Sequence, residues 1–460
     1  SGAATQNVAV GTVALFSVTS GGGNTAIGYN SQNSLTSGAY NVGLGRDSLA
    51  ANITGNFNVA VGAQSMVTST GTTGNTAVGY STLNLTTGGG NTAIGEYVLD
   101  ANTSGTENTA VGSLSLTDNS TGSGNVAIGR ESLANNTTAS DNVAVGKLAM
   151  FTNTTGGQNT AVGTQALRLN TTAGENVAVG YYALKANTTG LQNTAIGKES
   201  LVTNTTGSYN TASGREAMKY NTTGERNSAF GRTSLTSNTT GSYNVAVGMQ
   251  ALNAATTAAN NTAVGYNSLV ANTTGADNTA VGKDAMVANT TGISNVAVGL
   301  ASLSTNTTGN YNVAIGQRAL QSNTTASYTV AVGIDALKSN TTGAGNVGVG
   351  QSALYTNTTG ANNVAVGYGT LDANTTASNN TGIGTSALGA NTTGASNVSV
   401  GAGALKSNTT ASSNTAVGME ALRENTTGAS NSAYGRYSLL TNTTGADNTA
   451  VGLSALYANT

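Results

Sequence analysis

The sequence Asn-Val-Ala-Val-Gly at residues 7–11 returns, with small changes, at 24–28, 41–45, 58–62 and on to 448–452. There are 27 copies, and the step between them is 17 residues except once, where Asn75 to Asn91 is 16. A strict period of this kind constrains the fold more than any composition does. Residues one repeat apart must share one environment, and a stacked array meets that requirement directly.

With the Asn as position one, the unit reads Asn, Val/Thr, Ala, Val/Ile, Gly, two variable residues, Ala/Ser, Leu, two variable, Asn, Thr, Thr, Gly/Ala, two variable; residues 176–192 are a clean copy. Residues 1–90 are less regular: Gln32 replaces the expected Leu, and the short unit 75–90 reads as lacking one residue near Asn84 and Leu85. All 34 charged residues lie at positions six, seven, ten, eleven, sixteen or seventeen, and none at the other eleven. Neither a helix nor a random coil sorts charge at this period, whereas stacked coils do, because each position becomes a row. Helix is further disfavoured by Gly, Asn and β-branched residues in every unit. The Val-Ala-Val and Thr-Ala-Val triplets read as short strands bounded by turns. The predicted fold is therefore all-β: a parallel β-solenoid, or β-roll, of about 27 coils, forming one continuous array over residues 1–460. At about 4.8 Å per coil this gives a rod of roughly 130 Å.

Alternation places positions two and four on one strand face and position three on the other. Position three is always small, so the Ala face, with the small position eight and Leu at nine, fills a thin interior. Positions two and four are also uncharged and mostly apolar, which predicts burial against another copy, most simply in a homotrimer. The rival arrangement is a lone solenoid with every row turned into one core. The invariant Gly at position five marks a corner that needs positive φ or close backbone approach. Asn-Thr-Thr-Gly marks a second corner, where Asn tolerates the left-handed region and Asn and Thr bond nearby backbone or the next coil.

The chain has no Cys, His, Pro or Trp. Catalytic triads and His- or Cys-based metal sites are thereby excluded. Asp47, Glu131, Glu199, Glu216 and Asp284 each follow a basic residue and read as solvated surface pairs. The chain is expected to be no enzyme and to need no cofactor or metal. A net charge of −2 predicts no nucleic-acid partner, and no apolar run approaches the roughly 20 residues of a membrane span. Two sets of residues remain as candidates for function. Exposed tyrosines on several rows, among them Tyr181, Tyr182, Tyr209, Tyr243, Tyr311 and Tyr328, suit contact with a glycan or receptor, with random surface variation as the alternative. Asn-Thr-Thr matches the glycosylation acceptor pattern at Asn170, Asn187, Asn204 and Asn306, with a structural corner ladder as the alternative. The Thr rows also suggest ice binding, which the mixed neighbouring rows disfavour.

Asn-Thr-Ala-Ile-Gly followed by Ala or Ser, as in residues 24–31 and 193–200, resembles the head repeats of YadA-type trimeric autotransporter adhesins. The longer unit, as in residues 159–173, is similar to repeats of phage tail-fibre-like proteins. The resemblance implies a left-handed roll, three chains per fibre, and surface attachment outside the cell or on a virion. The expected function is a structural shaft that projects a tip domain, the sequence being a segment of a longer fibre protein. The rival expectation is an adhesin module that grips glycans through its Tyr and charged rows.

Overall fold

A computed structural model describes residues 5–459. Two compact units are present, divided between Asn227 and Ser228. Each is a parallel β-solenoid with a 17-residue coil, and the described residues contain no helix. The first unit holds strands β1 (Val8–Val10) to β13 (Thr211–Ser213), and the second holds β14 (Ser228–Phe230) to β27 (Thr449–Val451). Within each unit every strand pairs with its equivalent one repeat away. Thr160 lies opposite Val177 and Ala161 opposite Ala178 in the first; Val296 lies opposite Val313 and Ala297 opposite Ala314 in the second.

Three-residue strands cannot hold a sheet together by themselves, and the turns between them carry the same axial bonding. In the first unit Leu184 N–H donates to the Ser200 carbonyl at 2.9 Å, and Thr188 N–H to Thr205 at 2.9 Å, both toward the following coil. Gly197 and Glu199 donate to Val179 and Tyr181 of the preceding coil at 2.8 and 2.9 Å. Almost no backbone group needs a side chain from outside its own stack, which satisfies the pairing rule for buried amides.

The interior is as thin as expected. Ala178, Ala195, Leu184 and Leu201 are fully buried. Positions two and four point outward and stay half-buried or exposed within the single chain, Ile196 at 43% and Ile315 at 40%. The glycine at position five has φ near +130° throughout. A Cβ on Gly180 would stand 2.6 Å from the Gly197 carbonyl oxygen. This row is glycine because both the backbone angle and the next coil exclude anything larger.

The second corner differs from expectation. The Asn of Asn-Thr-Thr-Gly is not left-handed. Instead the single left-handed residues fall at positions seven, nine and seventeen, for example Tyr182 (φ 60°), Leu184 (φ 51°) and Gln192 (φ 55°). Each is a residue whose N–H bonds along the axis: Tyr182 to Thr164, Leu184 to Ser200 and Gln192 to Gly174. Left-handed backbone costs about 1–2 kcal/mol for a residue with a Cβ and is worst for β-branched side chains. The sequence carries this constraint as an omission. Val, Ile and Thr never occur at position nine or seventeen, although they dominate elsewhere. The core row is therefore Leu or Met where a β-protein would ordinarily use Val or Ile.

The irregular early repeats keep the coil by exchanging roles. In the second repeat Gln32 turns inward and donates to the Thr25 carbonyl at 2.8 Å, while Leu35, at position twelve, is buried with Leu15 and Ala26. The short repeat has lost its residue from the corner between Thr86 and Gly88, not near Asn84 and Leu85. Thr86 is buried at position twelve, with Asn102 Nδ2 donating to its Oγ1 at 3.1 Å. Asn84 and Leu85 keep the ordinary course, Thr68 N–H donating to the Asn84 carbonyl at 3.1 Å.

Leu320, buried with φ 53°, tests the left-handed core row. Leu320→Met should cost less than about 1.5 kcal/mol, as volume-conserving core changes do. Leu320→Ile should cost about 2 kcal/mol more, read as faster native-state amide exchange in its own and adjoining coils.

Candidate functional site

Three rows carry the polar chemistry. The first is internal. In the coil beginning at Asn193, the side-chain amides of Asn193 and Asn204 converge on the Gly207 carbonyl, each donating at 2.9 Å. Asn193 Oδ1 accepts the Asn210 backbone N–H at 3.0 Å and its Nδ2 at 3.2 Å. Positions one and twelve thus cross-brace each coil and also tie it to the next. The second unit repeats this: Asn295 and Asn306 donate to Gly309 at 2.9 and 3.0 Å, and Asn306 Nδ2 reaches Asn289 Oδ1 at 2.8 Å. The ladder is interrupted in that unit by the buried Ala255.

All four asparagines of the acceptor pattern belong to this ladder and are fully buried. Asn170 Nδ2 donates to Asn153 Oδ1 and the Ala173 carbonyl, both at 2.8 Å, and Asn187 to Asn170 Oδ1 and Gly190 at 3.1 and 2.9 Å. Asn204 also donates to Asn187 Oδ1 at 2.9 Å. A sugar on any of these nitrogens would remove a donor and has no open space in the folded coil. The Thr that follows each Asn adds an axial bond, as in Thr205 Oγ1 to the Thr222 carbonyl at 3.1 Å.

The tyrosines are placed on the surface, and the fold gathers some of them. Tyr181 and Tyr182 stack at 3.8 Å between centroids. The adjacent Tyr182 hydroxyl, followed by partial desolvation, pushes the Tyr181 phenol above its ordinary range. Tyr311 and Tyr328, one repeat apart, stack at 5.2 Å and 11°. Tyr209 lies under the Arg226 guanidinium at 5.3 Å, and Tyr243 is exposed in the second unit. Sequence inspection overlooked a further stacked pair, Tyr40 with Phe57 at 5.4 Å. Its signal was available: two aromatic residues 17 apart occupy the same row of adjacent coils.

The charged rows form the expected surface pairs, Arg130–Glu131 at 2.8 Å and Lys198–Glu199 at 3.7 Å. They also bridge coils: Lys219 reaches Glu199 at 2.8 Å, and Arg318 reaches Asp335 at 2.8 Å. Lys219 holds the Glu199 carboxyl below its ordinary range, and Glu199 holds the Lys219 ammonium above its own. Asp372 is pushed up by burial, partly offset by backbone N–H groups. Among the described residues no three acidic side chains meet in a group able to hold a metal ion. No helix there is long and apolar enough to cross a membrane. Comparison of the chain with protein-family models and with curated proteins finds no match.

Asn306→Ala should destabilise its unit by about 3 kcal/mol, since Asn289 Oδ1 and Asn323 Nδ2 lose a partner inside the coil. Thermal unfolding and amide exchange of the flanking coils check this. Removing the ammonium in Lys219→Met should raise the Glu199 titration toward its ordinary value, as read by carboxyl NMR. Glu199, with its lowered pKa, stabilises above its unfolded value of about 4.5 and loses that contribution as pH falls through the folded one. The raised Lys219 stabilises below about 10.5 and loses its contribution as pH rises through its folded value. The loss in stability near neutral pH should stay within about 1 kcal/mol.

Proposed function

We propose that the chain is a structural shaft segment of an extracellular fibre, of adhesin or tail-fibre type, that holds a tip domain away from a cell or virion surface. The observation that carries this reading is the uniformity of axial bonding within each unit. Strand, glycine row and asparagine rows repeat coil after coil, with the interior given wholly to holding coils together. Pulling along such a stack loads many backbone hydrogen bonds at once. Variation is confined to outward positions, as a spacer permits. The resemblance of the repeats to adhesin heads and tail fibres supports the same reading.

The shaft is a self-associated one, most simply a homotrimer. Its contact face is the outward side of the strands, where Val and Ile or Thr run without a single charge at position two or four. Val162, Ile196, Ile315 and Val398 are 36–43% exposed on it. Extended apolar faces of this kind mark contact surfaces, since isolated monomers rarely present more than a few hundred Å². Light scattering of the folded chain should return about three times the 45.0 kDa chain mass. Recovery of a single chain mass rejects the self-associated shaft. Val296→Lys with Val298→Lys and Ile315→Lys should release single chains while leaving the β-rich circular dichroism unchanged.

A second reading, direct glycan contact by exposed aromatic and charged rows, is favoured by the stacked pair Tyr181–Tyr182 and the lysines around it.

A further inference from the structure

Charge is sparse on this chain, yet it is not evenly spread. Over residues 125–226 of the first unit, positions six, seven, ten and eleven carry seven basic residues and three acidic ones, a net +4. The same positions in residues 7–124 carry a net −3. Positions sixteen and seventeen of residues 125–226 carry −2. One flank of six consecutive coils, about 30 Å long, is therefore positive on a chain whose total is −2.

The geometry sharpens this. Side chains of Arg130, Lys198 and Arg215 are 52–63% exposed, whereas their partners Glu131, Glu199 and Glu216 are only 21–22% exposed. The carboxylates lie beneath and the cations form the outer layer. At its centre Lys185 sits 4.3 Å over Tyr182, and Lys198 sits 5.8 Å from Tyr181 on the neighbouring coil. With the two rings stacked on each other, the aromatic pair props two ammonium groups against the surface and cuts the entropy lost when they engage an anion. Lys219 is tied down by Glu199 of the preceding coil.

We propose that this flank binds an acidic polysaccharide whose chain runs along the coil axis. This rests on the second reading, direct glycan contact at the Tyr181–Tyr182 surface, and names its ligand class; it does not depend on the shaft reading. A linear polymer fits because the basic residues recur coil by coil instead of converging on a pocket. Sugar fits better than nucleic acid on two counts. The ring faces are already occupied by each other and by lysines, so no platform is left for bases to stack on. The carboxylates under the cations accept hydrogen bonds from the free hydroxyls of a sugar acid, which a deoxyribose phosphate backbone lacks.

The test is equilibrium binding of the whole chain to polygalacturonate, with neutral dextran and single-stranded oligo(dT) as comparators. Polygalacturonate should bind, dextran should not, and affinity should fall at least about tenfold between about 50 and about 300 mM salt. Lys185→Gln with Lys198→Gln and Arg215→Gln should lose about tenfold or more, while Lys283→Gln with Arg318→Gln and Lys406→Gln in the second unit stays within about twofold. In the unaltered chain, bound polygalacturonate should shield Lys185 and Lys198, but not Lys283, from amine acetylation. Equal binding of dextran, equal loss in both triple variants, absence of shielding, or tighter binding of oligo(dT) would each overturn the proposal.

Discussion

Backbone hydrogen bonding along the stack is the interaction on which this structure rests. Each coil has little interior to bury: one small residue from the strand, one more from the turn, and one Leu or Met. So small a core stabilises little by itself. What compensates is that strand and turn alike present N–H and carbonyl groups to both neighbours, as Leu184 does to Ser200 and Gly197 to Val179. To keep a turn bonding axially, the backbone must pass repeatedly through the left-handed region. Leu at φ near 50° is the visible sign of that requirement.

This division of labour explains why the recurring residues are mute chemically. The invariant Gly at position five is required by contact with the next coil's backbone, and the prevailing asparagines by the Gly207-type carbonyl they share. What differs from coil to coil lies outside: ion pairs, aromatic stacks and the flank around Lys185 and Lys198. The repeat identifies the scaffold, and the departures from the repeat locate what distinguishes one stretch of surface from another.

Most of the fold was legible in the sequence, because period, charge sorting and the small position three each point to stacked coils. Leu167 and Leu184, one repeat apart, lie in adjoining coils, Leu167 N–H donating to the Ala183 carbonyl. The left-handed positions were not read, since their trace is a missing class of residue, and an absence shows only after all copies are aligned. The convergence of two asparagines on one carbonyl was also hidden. Sequence spacing says that Asn193 and Asn204 belong to one coil, but not that the chain folds back to bring both to Gly207. On the surface, the repeat register marks which aromatic residues share a row. Pairs such as Tyr311 with Tyr328 and Tyr209 with Arg226 follow from their separation by one repeat, whereas Lys185 over Tyr182 within one coil needed side-chain directions.

Position two alternates irregularly between Val and Thr, as at Val245, Thr262, Thr279 and Val296. The two side chains have nearly the same outline and differ in a hydroxyl. Over Val245 to Val298, where position four is Val throughout, the open strand face therefore keeps a constant profile while its wettability changes step by step. A neighbouring surface displaced by a single coil would find the same relief but a mismatched pattern of hydroxyl and methyl groups. An otherwise monotonous sheet thereby carries a written scale against slippage.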